Sequence, residues 1–261
     1  MPLPTQFFLK VIDVFDEFTA NLYMTLPVLN GIIERRILIN YRIDPEIVKM
    51  LLPSHLKPLV INGYASGGIC LLRLKDIGMK YAPSFLRVTS ENAAHRFLVS
   101  YEKDGVLHRG VYIPRRDTDS MLNVGLAGKL FSWPHYRAVF QVGEGNGKYT
   151  VSMQSRDGYT RLEVDAQRTD HFPSNSMFDS LAHASNSFKD CAVGISPSTK
   201  RSAFKTIKLQ TKTWHVTPLQ VHDVQSSFFE DKSLFPHDTI QFDNALLMEG
   251  IAHEWLSDDD Y

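Results

Sequence analysis

Residues 136–165, YRAVFQVGEGNGKYTVSMQSRDGYTRLEVD, decide the fold class of this chain. Apolar and polar residues alternate here in three short runs, a pattern typical of half-buried β-strands. The runs are separated by Gly145-Asn146-Gly147 and Arg156-Asp157-Gly158, whose residues tolerate the positive φ angles of tight hairpin turns. Three strands joined by two tight turns predict an antiparallel sheet.

The same pattern continues on both sides of this stretch. Lys103-Asp104-Gly105 supplies another hairpin turn, and Glu34 to Tyr41 alternates as a strand does. The predicted strands are 34–41, 67–75, 96–102, 106–113, 136–142, 147–154, 158–165, 205–212 and 219–229.

Helices are predicted between and beside the strands. Residues 6–26 carry one apolar stripe at three- and four-residue spacing, which indicates an amphipathic helix. Asp44 as N-cap, Pro45 at the first helical position and Pro53 as a stop predict a short helix between them. Three further helices are predicted at 117–131, 175–186 and 243–251. Together the elements predict an α+β domain in which a large, bent antiparallel sheet closes into a cone or β-barrel with helices outside.

Composition excludes several classes of function. The formal charge of the 261 residues is 28 − 29 = −1, so no basic excess favours nucleic acid. No apolar run approaches the ~20 residues of a membrane span, and no membrane partner is expected. The two cysteines cannot form a disulfide framework, which favours a cytoplasmic location.

The sequence contains no complete metal-binding motif and no serine-hydrolase motif. Glu249 and His253 share a helical spacing but offer only two ligands, so no metal is expected. Gly63-Tyr64-Ala65-Ser66-Gly67 lacks the central serine of a hydrolase elbow. No cofactor is predicted.

Several segments resemble acetoacetate decarboxylases in the same order along the chain. They are residues 39–53, Gly110-Val111-Tyr112-Ile113, Val124-Gly125 and Trp133-Pro134-His135-Tyr136. The stretches 194–198, 226–229 and 243–255 are similar to an uncharacterised bacterial branch of that superfamily. The resemblance covers residues 34–256, and it leaves 1–33 as a helical extension and 257–261 as an acidic tail. It implies a cone-shaped β-barrel around an internal pocket.

The resemblance also implies a chemistry that this chain is expected to lack. In acetoacetate decarboxylase a lysine that directly follows a proline forms a Schiff base with the keto acid. Here Pro134 is followed by His135 and Tyr136, neither of which has a primary amine. Lys129, five residues before Pro134, is interpreted as a surface or helix-end lysine.

Pocket positions follow from the same resemblance. Glu34 stands where the family has a pocket arginine, and Arg35 and Arg36 follow it. Glu91 keeps one of two pocket acids, while Cys70 occupies the other acidic position. The predicted catalytic residues are therefore His135 and Glu91, and the predicted ligand-binding residues are Tyr136, Arg35, Glu34 and Cys70.

Structural roles remain open for these residues. Glu91 is equally consistent with a carboxylate paired to an arginine such as Arg96, and His135 with packing beside Trp133. Tyr136 fits a half-buried residue at the start of a strand, and Cys70 fits a buried thiol between apolar neighbours.

Three functions remain open. The first is a barrel that binds a small organic acid or apolar metabolite without Schiff-base chemistry. The second is a lyase- or hydratase-like enzyme in which His135 and Glu91 move protons. The third is an interaction scaffold that docks a partner through the N-terminal helix. The sequence is also compatible with a homo-oligomer.

Overall fold

A computed structural model of the chain describes residues 28–80, 83, 85, 87–124, 134–197 and 204–258. Most of these residues lie in strands. The strands are β1 (Leu29–Ile43), β2 (Lys57–Pro58), β3 (Val60–Ile61), β4 (Tyr64–Met79), β5 (Val88–Lys103), β6 (Val106–Thr118), β7 (Tyr136–Gly145), β8 (Lys148–Ser155), β9 (Arg161–Arg168), β10 (Val193–Pro197), β11 (Phe204–Thr211), β12 (Thr217–Ser226) and β13 (Ile240–Asp258). Two helices, α1 (Pro45–Leu51) and α2 (Leu181–Asp190), complete the described part.

The strands form one sheet that closes on itself by two routes. Its order is β11-β10-β6-β7-β8-β9-β12-β13-β1-β4-β5-β2, with β5 also paired to β6 and β11 also paired to β13. One ring runs through β7, β8, β9 and β12, and the other runs through β10 and β11. Both rings share β13, β1, β4, β5 and β6, so these long strands form a common wall.

The common wall has a different environment on each face. Ile37, Ile39 and Phe97 belong to the large apolar core that also contains residues of β8 and β9. Their neighbours Leu38 and Leu98 belong to a second cluster, which includes side chains of α2. Because side chains alternate along a strand, the same five strands serve two separate interiors.

The predicted strands are confirmed, with differences in extent and pairing. Positive φ angles occur at Asp104 (54°), Asn146 (51°) and Gly158 (75°), as the hairpin signals predict. The short strands β2, β3 and β10 were not predicted. The sheet is also not wholly antiparallel, since β6 pairs in parallel with both β7 and β10.

The helix predictions have mixed outcomes. α1 is confirmed, and its N-cap Asp44 accepts a hydrogen bond from the Glu46 amide at 2.9 Å. α2 begins after its N-cap Ser180, later than the predicted start at residue 175. The predicted helix at 243–251 is wrong because these residues lie in β13, which pairs with β1 and β12. Tertiary pairing has overridden the helix-favouring leucines and methionine there.

Two helix predictions fall on segments that are described in part or not at all. For 117–131, Asp117 and Thr118 end β6 and are not caps. The Ser120 hydroxyl instead accepts from the Asn123 amide at 3.2 Å where a helical turn begins. Residues 125–133 lie outside the described residues, as do 6–26. None of the helices in the described ranges is long and apolar enough to cross a membrane.

Candidate functional site

A cavity of about 210 Å³ lies against the common wall, on the face turned away from the large core. Strands β1, β4, β5, β6, β10, β11 and β13 build its walls, and Phe188 of α2 and Trp214 also line it. Most of its lining is apolar or aromatic. The polar or sulfur-containing side chains that line it are those of Arg36, Cys70, Asn92, Arg96, Arg116, Asn123, His135 and Cys191.

Strand alternation explains which side chains β5 presents to the cavity. Asn92, Ala94 and Arg96 line it, two residues apart. Ala93 and Phe97 point the other way, into the large core. The regular alternation of side chains along this buried strand therefore directs Arg96 into an apolar space.

An irregularity in β1 directs a second arginine, Arg36, into the cavity. The register of β1 shifts against β4 between Ile33 and Arg35. Ile33 and Arg36 both line the cavity as a result, although residues three apart in a regular strand point to opposite faces. Arg35 consequently points away from the cavity.

Arg96 is the most deeply buried cavity arginine, with 2% of its surface exposed. It donates to the Oδ1 of Asn40, and its guanidinium carbon lies 4.8 Å from the ring centre of Phe188. Its Nε and Nη1 have no hydrogen-bond partner among the described residues. Burial lowers the pKa of Arg96 to about 10, although the thiols of Cys70 and Cys191 oppose this and the charge of Arg36 adds to it.

Arg116 and Arg36 complete the group. Arg116 donates from Nη1 to the hydroxyl of Ser196, and burial lowers its pKa to about 10. Arg36 donates from Nε to the Cys70 sulfur at 3.2 Å and from Nη1 to the Met248 sulfur at 3.9 Å. Sulfur is a weak acceptor, so these contacts do not replace the hydration of a guanidinium.

Two of the cavity arginines, Arg36 and Arg96, lack an acidic partner among the described residues. No aspartate or glutamate of the described residues lines the cavity. Arg36 and Arg96 have no carboxylate of the described residues at ion-pair distance; their contacts are amide oxygen, sulfur and aromatic rings. Uncompensated charge in an apolar enclosure is costly, and an anion inside the cavity would offset that cost. The arrangement is suited to binding an acid.

Glu91 and His135, the predicted catalytic pair, are not brought together. His135 lines the cavity. Glu91 instead accepts from Arg35 at 2.5 Å and from Arg73 at 2.6 Å, and both arginines also contact Glu144 of β7. This cluster of two arginines and two glutamates lies on the opposite face of the wall, where Glu91 is held by ion pairs.

The remaining predicted residues are also divided. Cys70 lines the cavity, where its sulfur accepts from Arg36. Glu34 is on the surface, 3.1 Å from the Lys75 ammonium. Tyr136 is half-exposed, and its ring lies 4.1 Å from the guanidinium carbon of Arg115. Of the six predicted site residues, His135 and Cys70 line the cavity and Glu91, Arg35, Glu34 and Tyr136 do not.

Sequence reasoning missed Arg36, Arg96 and Arg116 as a group. A signal for Arg96 was present, because it lies two residues from Ala94, which pairs with Cys70. Arg116 pairs with Ala94 from the other side, so the same cross-strand row includes it. Arg36 had no such signal, since its direction depends on the irregularity in β1.

An open groove on β7, β8 and β9 is lined by Glu163, Asp165 and Asp223, and it holds no group of three metal-ligating side chains. Within the described ranges, no such group occurs anywhere else.

The fold is that of acetoacetate decarboxylase and its relatives. Acetoacetate decarboxylase from Legionella pneumophila subsp. pneumophila str. Philadelphia 1 aligns with a TM-score of 0.55 and 12% identity, over 90% of this chain and 88% of that chain. An acetoacetate decarboxylase-like enzyme from Sphingomonas wittichii RW1 aligns at 0.55 and 10%, over 92% and 93%. Enduracididine biosynthesis enzyme MppR complexed with pyruvate aligns at 0.55 and 11%, over 92% and 91%. At these identities the likeness defines the fold only.

Residues 33–243 match the family DUF2071, whose description is an uncharacterized conserved protein. The match spans most of the chain, and the chain belongs to this family. No curated protein matches it. The resemblance inferred from the sequence, to an uncharacterised branch of the acetoacetate decarboxylase-like superfamily, is thereby confirmed.

Proposed function

We propose that this protein binds a small organic acid in the arginine-lined cavity and does not form a Schiff base with it. The observation that carries the proposal is the convergence of Arg36, Arg96 and Arg116 on an apolar space with no acidic side chain among its described lining. Guanidinium groups are suited to a carboxylate because they donate paired, charge-assisted hydrogen bonds. Arg96 supports this most directly, since two of its nitrogen atoms lack a partner. In this reading the closed sheet is a cone or barrel around a bound molecule.

The absence of imine chemistry is part of the proposal. Its support is that none of the described side chains lining the cavity is a lysine. Pro134 is followed by His135, whose imidazole cannot form an iminium. Lys129 lies outside the described residues, so a chemical test is needed. Incubation with acetoacetate and cyanoborohydride should give no covalent adduct by mass spectrometry, and an adduct on any lysine would overturn this part of the proposal.

Ligand binding is tested by comparing an acid with its uncharged isostere. Trp214 and Trp255 line the cavity, so tryptophan fluorescence reports occupancy, with calorimetry as a second readout. Butyrate or succinate should bind, whereas butyramide should bind at least about thirtyfold more weakly, because a buried charge contact contributes about 2 kcal/mol or more. Equal binding of butyrate and butyramide, with none of succinate, would favour an apolar metabolite instead.

Variants connect that affinity to the cavity. Arg96→Met should lower butyrate affinity by at least about thirtyfold. The matched control is Arg161→Met, an exposed arginine of β9, which should change affinity by less than about twofold. If both variants bind butyrate as the wild type does, the acid is bound elsewhere.

A proton-transfer enzyme is the second candidate. His135 shares the cavity with the three arginines, so an acid held by a guanidinium would lie near an imidazole. Exchange of the methyl protons of pyruvate with deuterated water, followed by NMR, tests it. A true enzyme would accelerate exchange, and His135→Ala would abolish the acceleration while butyrate affinity changed only a few-fold.

The other expectations stay predictions. Docking through the N-terminal helix depends on residues 6–26, which lie outside the described ranges. A cytoplasmic location and the absence of a nucleic-acid partner stay predictions from the composition.

A further inference from the structure

We infer that the acid is a monocarboxylate with a single apolar chain of about five carbons, bound with its carboxylate at the arginine end of the cavity. This inference rests on the proposed function and specifies its ligand. It follows from the order in which the strand registers place charged and apolar side chains along the cavity.

The charged side chains are concentrated at one end. Cys70 pairs with Ala94, and Ala94 pairs with Arg116 in the next strand. Arg96 is two residues further along β5, while Arg36 pairs with Leu72, two residues from Cys70 on β4. The three arginines thus lie in neighbouring cross-strand rows, each row being a set of residues paired across adjacent strands.

In the other direction along the wall, the strand registers place apolar side chains in the cavity. Ile33 pairs with Leu74, which is two residues beyond Leu72. Leu29 pairs with Trp255, and Trp255 pairs in turn with Leu209 of β11. All six line the cavity, so one direction along the wall leads from guanidinium groups to aliphatic and indole side chains.

The distribution of charged and apolar side chains in the cavity favours a monocarboxylate over a dicarboxylate. A second carboxylate at the apolar end would lose its hydration without gaining a donor, which is strongly unfavourable. A methyl or methylene group placed at the apolar end stabilises the complex by about the free energy of transferring that group out of water. A monocarboxylate with an apolar chain therefore fits both ends, whereas a dicarboxylate of the same length fits only one.

Cavity size sets the length of the chain. An apolar protein cavity of about 150 Å³ accommodates benzene, with its six heavy atoms. By proportion, 210 Å³ accommodates about eight heavy atoms. A carboxylate accounts for three of these, which leaves about five carbons, the size of hexanoate.

The test is a chain-length series measured by tryptophan fluorescence and calorimetry with acetate, butyrate, hexanoate, decanoate and adipate. Affinity should rise about threefold to fourfold per added methylene up to hexanoate. It should fall at decanoate, which exceeds the cavity, and adipate should bind at least about tenfold more weakly than hexanoate.

The variant Ile77→Asn tests the orientation, because Ile77 lines the apolar end and is half-exposed. It should weaken hexanoate by at least about tenfold and leave acetate unchanged within about twofold. Retained acetate binding also shows that the variant is folded. Val139→Asn, an exposed position on β7, is the matched control and should change neither affinity.

Failure of this inference is distinguishable from failure of the proposed function. If adipate or succinate binds more tightly than hexanoate, or if Ile77→Asn leaves hexanoate affinity intact, the cavity still binds an acid but the chain assignment is overturned. If no acid in the series binds, the proposed function fails together with the inference.

Discussion

Arg35 and Arg36 are adjacent in sequence and have opposite electrostatic surroundings. Arg35 is 2% exposed and contacts the carboxylates of Glu91 and Glu144. Arg36 faces the cavity, where its hydrogen bonds end on two sulfur atoms. The two carboxylates compensate the charge of the buried Arg35, whereas the partly buried Arg36 has no carboxylate of the described residues at ion-pair distance. Arg35 therefore belongs to an ion-pair cluster, whereas Arg36 is available to the proposed acid.

Replacement of Arg36 should separate stability from binding. In Arg36→Met, a thioether would pack against the sulfur atoms of Cys70 and Met248, and a charge without a counter-ion would be removed. The free energy of unfolding should stay within about 1 kcal/mol of the wild-type value or rise above it. Butyrate affinity should fall at least about tenfold. A loss of more than about 2 kcal/mol in urea unfolding would show that Arg36 is structural.

Replacement of Glu91 should have the reverse effect. Glu91→Gln weakens the contacts to Arg35 and Arg73, and the expected cost is about 1–3 kcal/mol in the free energy of unfolding. Butyrate affinity should remain within about twofold of the wild-type value. A variant that unfolds like the wild type but has lost affinity would restore Glu91 as a pocket residue.

At the scale of elements, β1 approaches β4 closely at Gly68. A Cβ atom added there would lie 2.1 Å from the carbonyl oxygen of Ile39, so the two strands would have to separate. Gly68→Ala should cost about 2–3 kcal/mol, measured by urea unfolding. Gly145→Ala, where an added Cβ meets nothing within 4 Å, is the matched control and should be nearly neutral.

The elements also show what local sequence can predict. Alternation and hairpin residues were sufficient for β7, β8 and β9, because their pairing is between sequence neighbours. β13 was mistaken for a helix, since its Leu246, Leu247 and Met248 favour helix locally and only pairing with distant strands makes them extended. β10 is five residues long and bounded by proline, so it gives little strand signal.

Prediction of the site was limited by the same cause. Cys70 and His135 were identified from positions shared with a family. The direction of Arg36 depends on a register shift in β1, which has no local sequence signature. The resemblance gives position along the chain and not the face of the strand, so it could not predict that Glu91 faces away from the cavity that His135 lines.

At the scale of the whole molecule, two interiors share one wall of long strands. The large core contains Ile37, Ile39 and Phe97, and its apolar packing stabilises the fold. The cavity on the other face is free to hold charges that would be unfavourable in a packed core. This division lets the fold place three arginines near one another while most apolar side chains remain closely packed.

Global stability should fall on mild acidification. Burial lowers the pKa of His95 to about 3 and that of His253 to about 4, against an ordinary value of 6.5. Between pH 6.5 and 4 the unfolded chain therefore takes up protons that the folded chain does not. The free energy of unfolding consequently decreases as the pH is lowered. The slope is up to about 1.4 kcal/mol per pH unit for each histidine.

Urea unfolding at pH 7, 6 and 5 measures this slope. His95 packs against Phe228 with ring centres 4.9 Å apart, so His95→Phe should fit and should reduce the slope by about half. His222→Phe, at an exposed position, is the matched control. An unchanged slope in His95→Phe would show that the acid sensitivity has another source.

A crystal structure of the protein with 5-bromopentanoate tests the central claim most directly, because this ligand is the size of hexanoate and bromine is located by its anomalous signal. We expect carboxylate oxygens at about 3 Å from the unpartnered nitrogen atoms of Arg96, and bromine beside Trp255. Bromine at the arginine end, or a cavity that contains only water at saturating ligand, would contradict the account.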